Sequence, residues 1–436
     1  MLAQCAIDSR QGLLERMTQA RAETGRLFGL VKPEFLYERP IAERHRIIFY
    51  VGHLEAFDWN LLYRRLGLQS FDPSLDRLFA FGIDPVDGGL PSDQPADWPS
   101  ETQVSHYKHR IHTLLDAAIL RNGSTWGGNE SPELLLNAAI EHRWMHAETL
   151  AYMLHRMPSE NKRSLIQAVT PDSRPFHPET IEVHRGRATL GIFEDDFGWD
   201  NEYQRHAVDV PRFTLDKYKV TNSQFLDFTR AGGYQDRGLW SEADWRWKEQ
   251  NGIGHPAFWQ PSGDEFRYRA MFEDIPLPLD WPVYVSHAEA SAYAAWAGKR
   301  LPTEAEWHRA AYGSPDAERS YPWGERLPAD ENGYMEMNRW DPSPVNAFPR
   351  GRSSWGIDGM LANGWEWTSS LFEPFPGFQA FPFYPGYSAN FFDGKHYVMK
   401  GGSPRTEKCL LRRSFRNWFQ PHYQYAYAGF RCAGND

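Results

Sequence analysis

At 436 residues the chain is too long for one ordinary hydrophobic core, so two domains are expected. Its formal net charge of -10 argues against nucleic acid as the main partner, and no apolar run approaches the roughly 20 residues that span a bilayer, so no membrane is expected either. Cys5, Cys409 and Cys432 are too sparse for a disulfide framework and have no Cys-x-x-Cys spacing; with charge at Asp8 and Arg10 too early for a secretory signal, they read as reduced thiols in a cytoplasmic protein.

The first third reads as four helices. Ile7–Leu30 is amphipathic, with Leu13, Leu14, Met17 and Ala20 as apolar positions. Glu43–Leu68 is apolar and aromatic and contains His53, followed by Trp59, Leu61, Leu62 and Tyr63. Phe81–Ser92 is part of a long loop whose length makes it a candidate for function. Val104–Leu120 repeats the helical pattern, and Pro132–His155 begins with Ser131 before it and Pro132 in its first turn. Four such helices predict a bundle, and metal sites in bundles form where facing helices project side chains inward. The last helix carries His142 and His146, a step of four that puts both imidazoles on one face. Three neutral imidazoles on one side of a metal leave other positions open, which suits a non-haem Fe(II) centre that holds a substrate and dioxygen together. A pair at this spacing taken alone also fits a helix with no ligand at all.

After Met157 the composition changes. Pro158–Arg163 and Thr170–Pro175 read as a linker. Short strand-like runs follow at Ile181–His184, Ala188–Phe193 and Arg212–Tyr218, separated by Gly/Asp/Pro turns. Helices are expected at Asn222–Ala231 and Ser286–Gly298, and a third from Thr303, where Glu306 completes a capping box. The remainder is loop-rich and heavy in Trp, Gly and Pro, and there is no internal repeat.

In this second part the strings Lys219-Val220-Thr221-Asn222, Leu301-Pro302-Thr303-Glu304-Ala305-Glu306-Trp307, Asn363-Gly364-Trp365-Glu366-Trp367-Thr368, Gly401-Gly402-Ser403 and Ala428-Gly429-Phe430-Arg431 occur. Together with His53, the His142/His146 pair, Phe391-Phe392-Asp393-Gly394-Lys395-His396 and Ser414-Phe415-Arg416-Asn417-Trp418, they make the chain resemble the sulfoxide synthases of ergothioneine and ovothiol biosynthesis. The resemblance covers nearly the whole chain. It implies a DinB-like four-helix bundle at 1–165 and, at 166–436, a formylglycine-generating-enzyme-like domain with a C-type-lectin-related fold. It also implies an Fe(II)- and O2-dependent enzyme that joins hercynine, or histidine, to a thiol and forms a sulfoxide. Ovothiol-type members usually carry a further methyltransferase domain; the Gly-Phe-Arg string lies just before Asp436, and the expectation is therefore the ergothioneine type.

By resemblance, His53, His142 and His146 are the iron ligands. Asp58, Glu141 and Glu148 are either partners that fix an imidazole tautomer or plain solvated or capping carboxylates. Tyr384 falls at the family's catalytic tyrosine, a proton or hydrogen-atom donor, and Tyr387 at a substrate-contacting position; both also fit as packing aromatics. Asn417 and Trp418 match positions near hercynine, whose trimethylammonium group favours aromatic faces, or else they brace the fold. Met145 replaces the Gln of many members that use γ-glutamylcysteine. Phe419 and Tyr423 stand where those members place an Asp and an Arg, which favours free cysteine as the thiol. The Phe81–Pro85 loop lacks the paired tyrosines of some cysteine users. Arg412, Arg413 and Arg416 are candidates for a carboxylate clamp or for structural roles. His45, His106, His109 and His112 match no string and read as surface or packed histidines. Two other classes compete: a formylglycine-generating oxidase using Cys409 and Cys432, and a non-catalytic lectin-like binding module. Within the leading class, a histidine acceptor or a selenium donor stays open.

Overall fold

The computed structural model describes residues 10–80, 90–121, 126–164, 174–193, 196–335, 337 and 339–434. The Phe81–Pro85 loop and residues 170–173 of the expected linker lie outside these, as do Cys5 and Ile7–Ser9. The chain divides into two compact units between residues 167 and 168. Among the described residues no helix is long and apolar enough to cross a membrane.

The first unit is helical. α1 (Arg10–Leu30), α2 (Ile47–Leu62), α4 (Glu101–Arg121) and α5 (Pro132–Arg156) are its long elements, with a short α3 (Pro73–Leu78) before α4. α1 packs on α5, and α2 on both α4 and α5. The pattern behind this is plain in α4, where Val104, Ile111, Leu115 and Ala118 recur at helical spacing and are all buried. α2 differs: it is buried around almost its whole circumference, His53, Glu55 and Asp58 included. A helix apolar all round belongs inside, and any charge it carries must find a partner there. Ser131 caps α5 by accepting from the Leu134 N–H at 3.1 Å, with Pro132 at the first helical position. α3 is absent from the expectations, although Asp72 caps it by accepting from the Leu75 N–H and Pro73 opens it. At the far end, Arg163 N–H donates to Leu30 O at 2.7 Å and ties the chain after α5 to the end of α1.

The second unit is a mixture of short strands, helices and ordered loops. β1 (Thr180–Val183) pairs antiparallel with β4 (Phe213–Asp216), and β2 (Gly186–Leu190) with β3 (His206–Val210). α6 (Asn222–Arg230) and α7 (Glu242–Asn251) precede an antiparallel three-stranded sheet of β5 (Trp259–Ser262), β6 (Glu265–Arg269) and β7 (Asp274–Pro276). α8 (His287–Trp296) and α9 (Glu304–Tyr312) follow. The last sheet has the order β10-β9-β8-β11: β8 (Trp365–Leu371), β9 (Tyr397–Lys400) and β10 (Asn417–Phe419) are antiparallel neighbours, and β11 (Ala428–Gly429) runs parallel to β8. Thr221, Ser286 and Thr303 each cap a helix with a reciprocal Gln or Glu three residues on.

The shared strings have a physical meaning here. Lys219, Glu366 and Arg431, from three of them, meet in the interior: Arg431 grips Glu366 with two bonds of 2.6 and 3.0 Å, and Lys219 Nζ lies 2.9 Å from the same carboxylate. Arg431 also donates to the carbonyls of Asp216, Lys217 and Asp358. Gly401, at φ +104°, brings its α-carbon so close to the Met360 carbonyl that a Cβ would lie 2.8 Å from the oxygen.

Candidate metal centre and aromatic site

His53 projects from α2, and His142 and His146 from α5, one helical turn apart. All three are buried, and ligating atoms of the three lie within 4.8 Å of one another. The Nε2 atoms of His142 and His146 are 3.2 Å apart. Metal–imidazole bonds of about 2.1 Å at angles of about 90–109° place neighbouring nitrogens roughly 3.0–3.4 Å apart, so this pair is spaced for a shared cation. His53 Nδ1 lies 2.7 Å from the Phe79 carbonyl, so that nitrogen carries the proton and Nε2 keeps its lone pair. Phe57 stacks on His142 at 3.5 Å and Phe49 on His53 at 4.8 Å, which makes apolar walls for the rings. Burial pushes His53 down to about 4 and the other two well below their ordinary value, so all three are neutral and able to ligate at neutral pH.

Between the two histidines of α5 lies Arg143, 1% exposed. Its guanidinium donates to Asp58 at 2.7 Å, to both oxygens of Glu55 at 3.0 and 3.2 Å, and to the Leu54 carbonyl at 3.0 Å. Glu55 also meets His112 Nε2 of α4 at 2.7 Å and Lys108 at 3.8 Å, and Thr24 Oγ1 of α1 lies 3.4 Å from Arg143. One charge cluster therefore touches all four long helices. Burial works to raise both carboxylates; Arg143 and His112 overcome it at Glu55, whereas at Asp58 burial wins. Asp58 thus pairs with Arg143 rather than orienting an imidazole, and His112 is a partner of Glu55. Glu141 and Glu148 are buried on α5.

In the second unit, Tyr384, Tyr387 and Trp418 come together. Tyr387 stacks on the buried Trp199 at 4.0 Å, Tyr384 lies 5.6 Å from Tyr387 and edge-on to Trp199 at 6.5 Å, and Trp418 meets Tyr387 edge-on at 5.5 Å. Trp418 lies flat on Phe372 at 4.0 Å. Asn417 precedes it on β10, and its side-chain oxygen accepts from the Trp418 N–H at 2.9 Å. Phe419 and Tyr423 stack face to face at 4.6 Å. Met145 stays on α5 between the two histidines, half-buried.

Residues 166–436 match the Sulfatase-modifying factor enzyme 1-like domain. The chain is 39% identical over 300 residues to Hercynine oxygenase of Mycobacterium tuberculosis, covering 67% of this chain and 70% of that one. This chain belongs to the hercynine oxygenase family. Ergothioneine biosynthesis protein 1 of Neurospora crassa is 25% identical over 92% of this chain and 55% of its own length, a span too wide to omit the helical unit. The Formylglycine-generating enzyme of Bos taurus is 29% identical over 61% of this chain and 77% of its own. Membership of the hercynine oxygenase family makes the protein an oxidation enzyme.

The three arginines are already engaged within the second unit. Arg416, 2% exposed, makes two bonds to Glu304 at 3.0 and 3.1 Å and sits over the rings of Phe372 and Phe375. Arg412 pairs with Glu202, and Arg413 with Glu318 at 2.7 Å. Two residues beyond the sequence reading shape the histidine cluster. Arg143 was signalled by Glu55 and Asp58, two acids in an otherwise apolar helix with no local base. Gly52 had no signal: a Cβ there would lie 2.4 Å from the Phe79 ring, which is fully buried and boxed by Phe49, Trp98 and Tyr107.

Arg143→Met is expected to destabilise the protein by about 3–5 kcal/mol in denaturant unfolding, because it leaves two buried carboxylates without their cation. Gly52→Ala is expected to displace Phe79 and its carbonyl from His53, weakening metal binding by about 10- to 100-fold in a chelator competition. A histidine whose folded pKa lies below its unfolded one takes up its proton more readily when unfolded. The metal-free protein should therefore lose stability as pH falls from about 6.5 towards 4, with a shallower slope in His53→Gln; melting temperatures across that range check this.

Proposed function

We propose that the protein is an Fe(II)-dependent sulfoxide synthase of ergothioneine biosynthesis that joins hercynine to cysteine with O2. The observation that carries the reading is the cradle of three buried, neutral imidazoles on facing helices, in a chain that belongs to the hercynine oxygenase family. An all-nitrogen set of three on one side of a cation leaves positions open for substrate and O2. His53, His142 and His146 hold the metal, which when bound supplies the site for thiolate and O2 activation. The balance is one carbon–sulfur bond formed, one oxygen atom placed on sulfur, and the other oxygen leaving as water with the hydrogens lost from the thiol and the imidazole carbon.

The chain's own residues then divide the work. The Phe79 carbonyl keeps the His53 proton on Nδ1. Tyr384 supplies a proton or hydrogen atom, Tyr387 and Trp418 offer aromatic faces to the trimethylammonium group, and Asn417 hydrogen-bonds the hercynine carboxylate. The stacked Phe419/Tyr423 pair and Met145 present no charge of the kind that recognises the γ-glutamyl end of a longer thiol. The charge of Arg416 is taken up by Glu304, so its contribution to substrate binding is to hold Phe372 beneath Trp418.

Anaerobic reconstitution with Fe(II), followed by O2 and a panel of hercynine or histidine with cysteine or γ-glutamylcysteine, tests the reading by product mass. Hercynine with cysteine is expected to give the sulfoxide most rapidly, and metal-stripped protein none. Preference for histidine or for γ-glutamylcysteine would overturn the substrate assignment. Tyr384→Phe is expected to lose sulfoxide formation and to divert O2 to oxidation of the thiol alone; a variant that behaves as wild type removes Tyr384 from its role.

A further inference from the structure

The segment Trp199-Asp200-Asn201-Glu202 holds four successive residues that are each no more than 1% exposed, three of them polar. Burying such groups is unfavourable unless each is hydrogen-bonded, so their partners show what the segment is for. Asp200 accepts from the Ser388 hydroxyl through one carboxylate oxygen and, at 3.5 Å, faces the Phe381 N–H with the other. Asn201 donates to the same Ser388 oxygen at 2.9 Å. Phe381 and Ser388 bracket the loop that carries Tyr384 and Tyr387. Inside that loop Tyr384 N–H donates to Phe381 O at 3.0 Å and Tyr387 N–H to Tyr384 O at 3.1 Å, and Trp199 forms the floor beneath Tyr387.

The other end of the segment faces the opposite way. Glu202 accepts from the Trp199 N–H at 2.8 Å, from Arg412 Nε at 2.8 Å and from the Ser414 hydroxyl at 2.6 Å. Residues 412–414 lead directly into β10, which carries Asn417 and Trp418. Two loops far apart in sequence are thereby referenced to one short, buried piece of chain.

We propose that Asp200 and Ser388 are positioning residues for Tyr384: the Trp199–Glu202 segment fixes the tyrosine loop at a set distance from the Asn417–Trp418 strand. This rests on the reading of Tyr384 as the catalytic residue. Burial pushes the Asp200 carboxyl up to about 6, against the bonds from Ser388 and the Phe381 N–H. A displacement of about 1 Å in a reacting group reduces turnover by about 100-fold, which sets the scale of what such a latch controls.

The test uses the full-length Fe(II)-loaded protein with hercynine and cysteine. Ser388→Ala and, separately, Asp200→Asn are expected to lower sulfoxide turnover by about 10- to 100-fold and to raise the share of thiol oxidised without carbon–sulfur bond formation, toward the product ratio of Tyr384→Phe. Ser388→Thr, which keeps the hydroxyl, should recover the wild-type ratio. The deciding readout is the rate of thiol oxidation, the activity that Tyr384→Phe retains, in the double variant Ser388→Ala/Tyr384→Phe: if the latch acts through the tyrosine, this rate is no lower than in Tyr384→Phe alone. Independent, multiplying losses, or a wild-type product ratio in both single variants, would overturn the proposal. A Tyr384→Phe variant indistinguishable from wild type would instead remove the functional reading on which the proposal stands. If Ser388→Ala fails to fold, Asp200→Asn in the same two backgrounds gives the same decision.

Discussion

The first unit is organised around one buried cation. Arg143 sits on the same helix as two of the three clustered histidines, and its guanidinium reaches Glu55 and Asp58 on the helix that carries the third. The ion pair and the nitrogen cluster span the same two helices, so the rotation and rise that satisfy the charges also set where the imidazoles meet. A hydrophobic contact between α2 and α5 would tolerate sliding by a methyl group. A guanidinium shared by two carboxylates and a backbone carbonyl does not, because each misplacement leaves a charge in an apolar interior.

The same burial has opposite consequences a few ångströms away. Around Arg143 it makes charge expensive and therefore directional. Around His53, His142 and His146 it keeps imidazoles unprotonated, which is the condition for offering nitrogen lone pairs to a cation. Phe49 and Phe57 stack on the His53 and His142 rings, and Phe79 lies against Phe49 behind them. A metal centre of this kind needs an apolar shell with a few polar atoms placed by backbone, and the Phe79 carbonyl is such an atom. Gly52 admits the Phe79 ring, so a residue with no side chain decides where that carbonyl lies.

The long helices were legible in the sequence because they depend on local spacing, period 3.6 for α1, α4 and α5; a step of four put His142 and His146 on one face, but His53 joined them only through the family resemblance. The cap signals at Ser131 and Thr303 marked where two helices begin; the same kind of signal stands at Thr221 and Ser286, and at Asp72-Pro73 and Ser241 it would have found α3 and α7. The Arg143 cluster was only half visible, since two acids in an apolar helix ask for a cation without saying from where. The four-stranded sheet was not legible at all. Its strands are two to seven residues long, and β11 finds β8 rather than its sequence neighbour. For Arg412, Arg413 and Arg416 the sequence left a clamp and a structural role open, and the acid each one meets, Glu202, Glu318 and Glu304, was not legible because only the folded chain assembles those contacts.

The Lys219–Glu366–Arg431 knot has a kinetic side. Its members lie far apart along the chain, and the parallel pairing of β11 with β8 cannot form until the last of them is available. During synthesis, Lys219 and Glu366 therefore emerge long before the guanidinium that completes their neutralisation. Contacts of such high sequence separation are closed late and slowly. Until then β8, although it has its antiparallel neighbour β9, lacks β11 on its other edge, and Glu366 lacks its guanidinium, the stage at which the second unit is most exposed to aggregation.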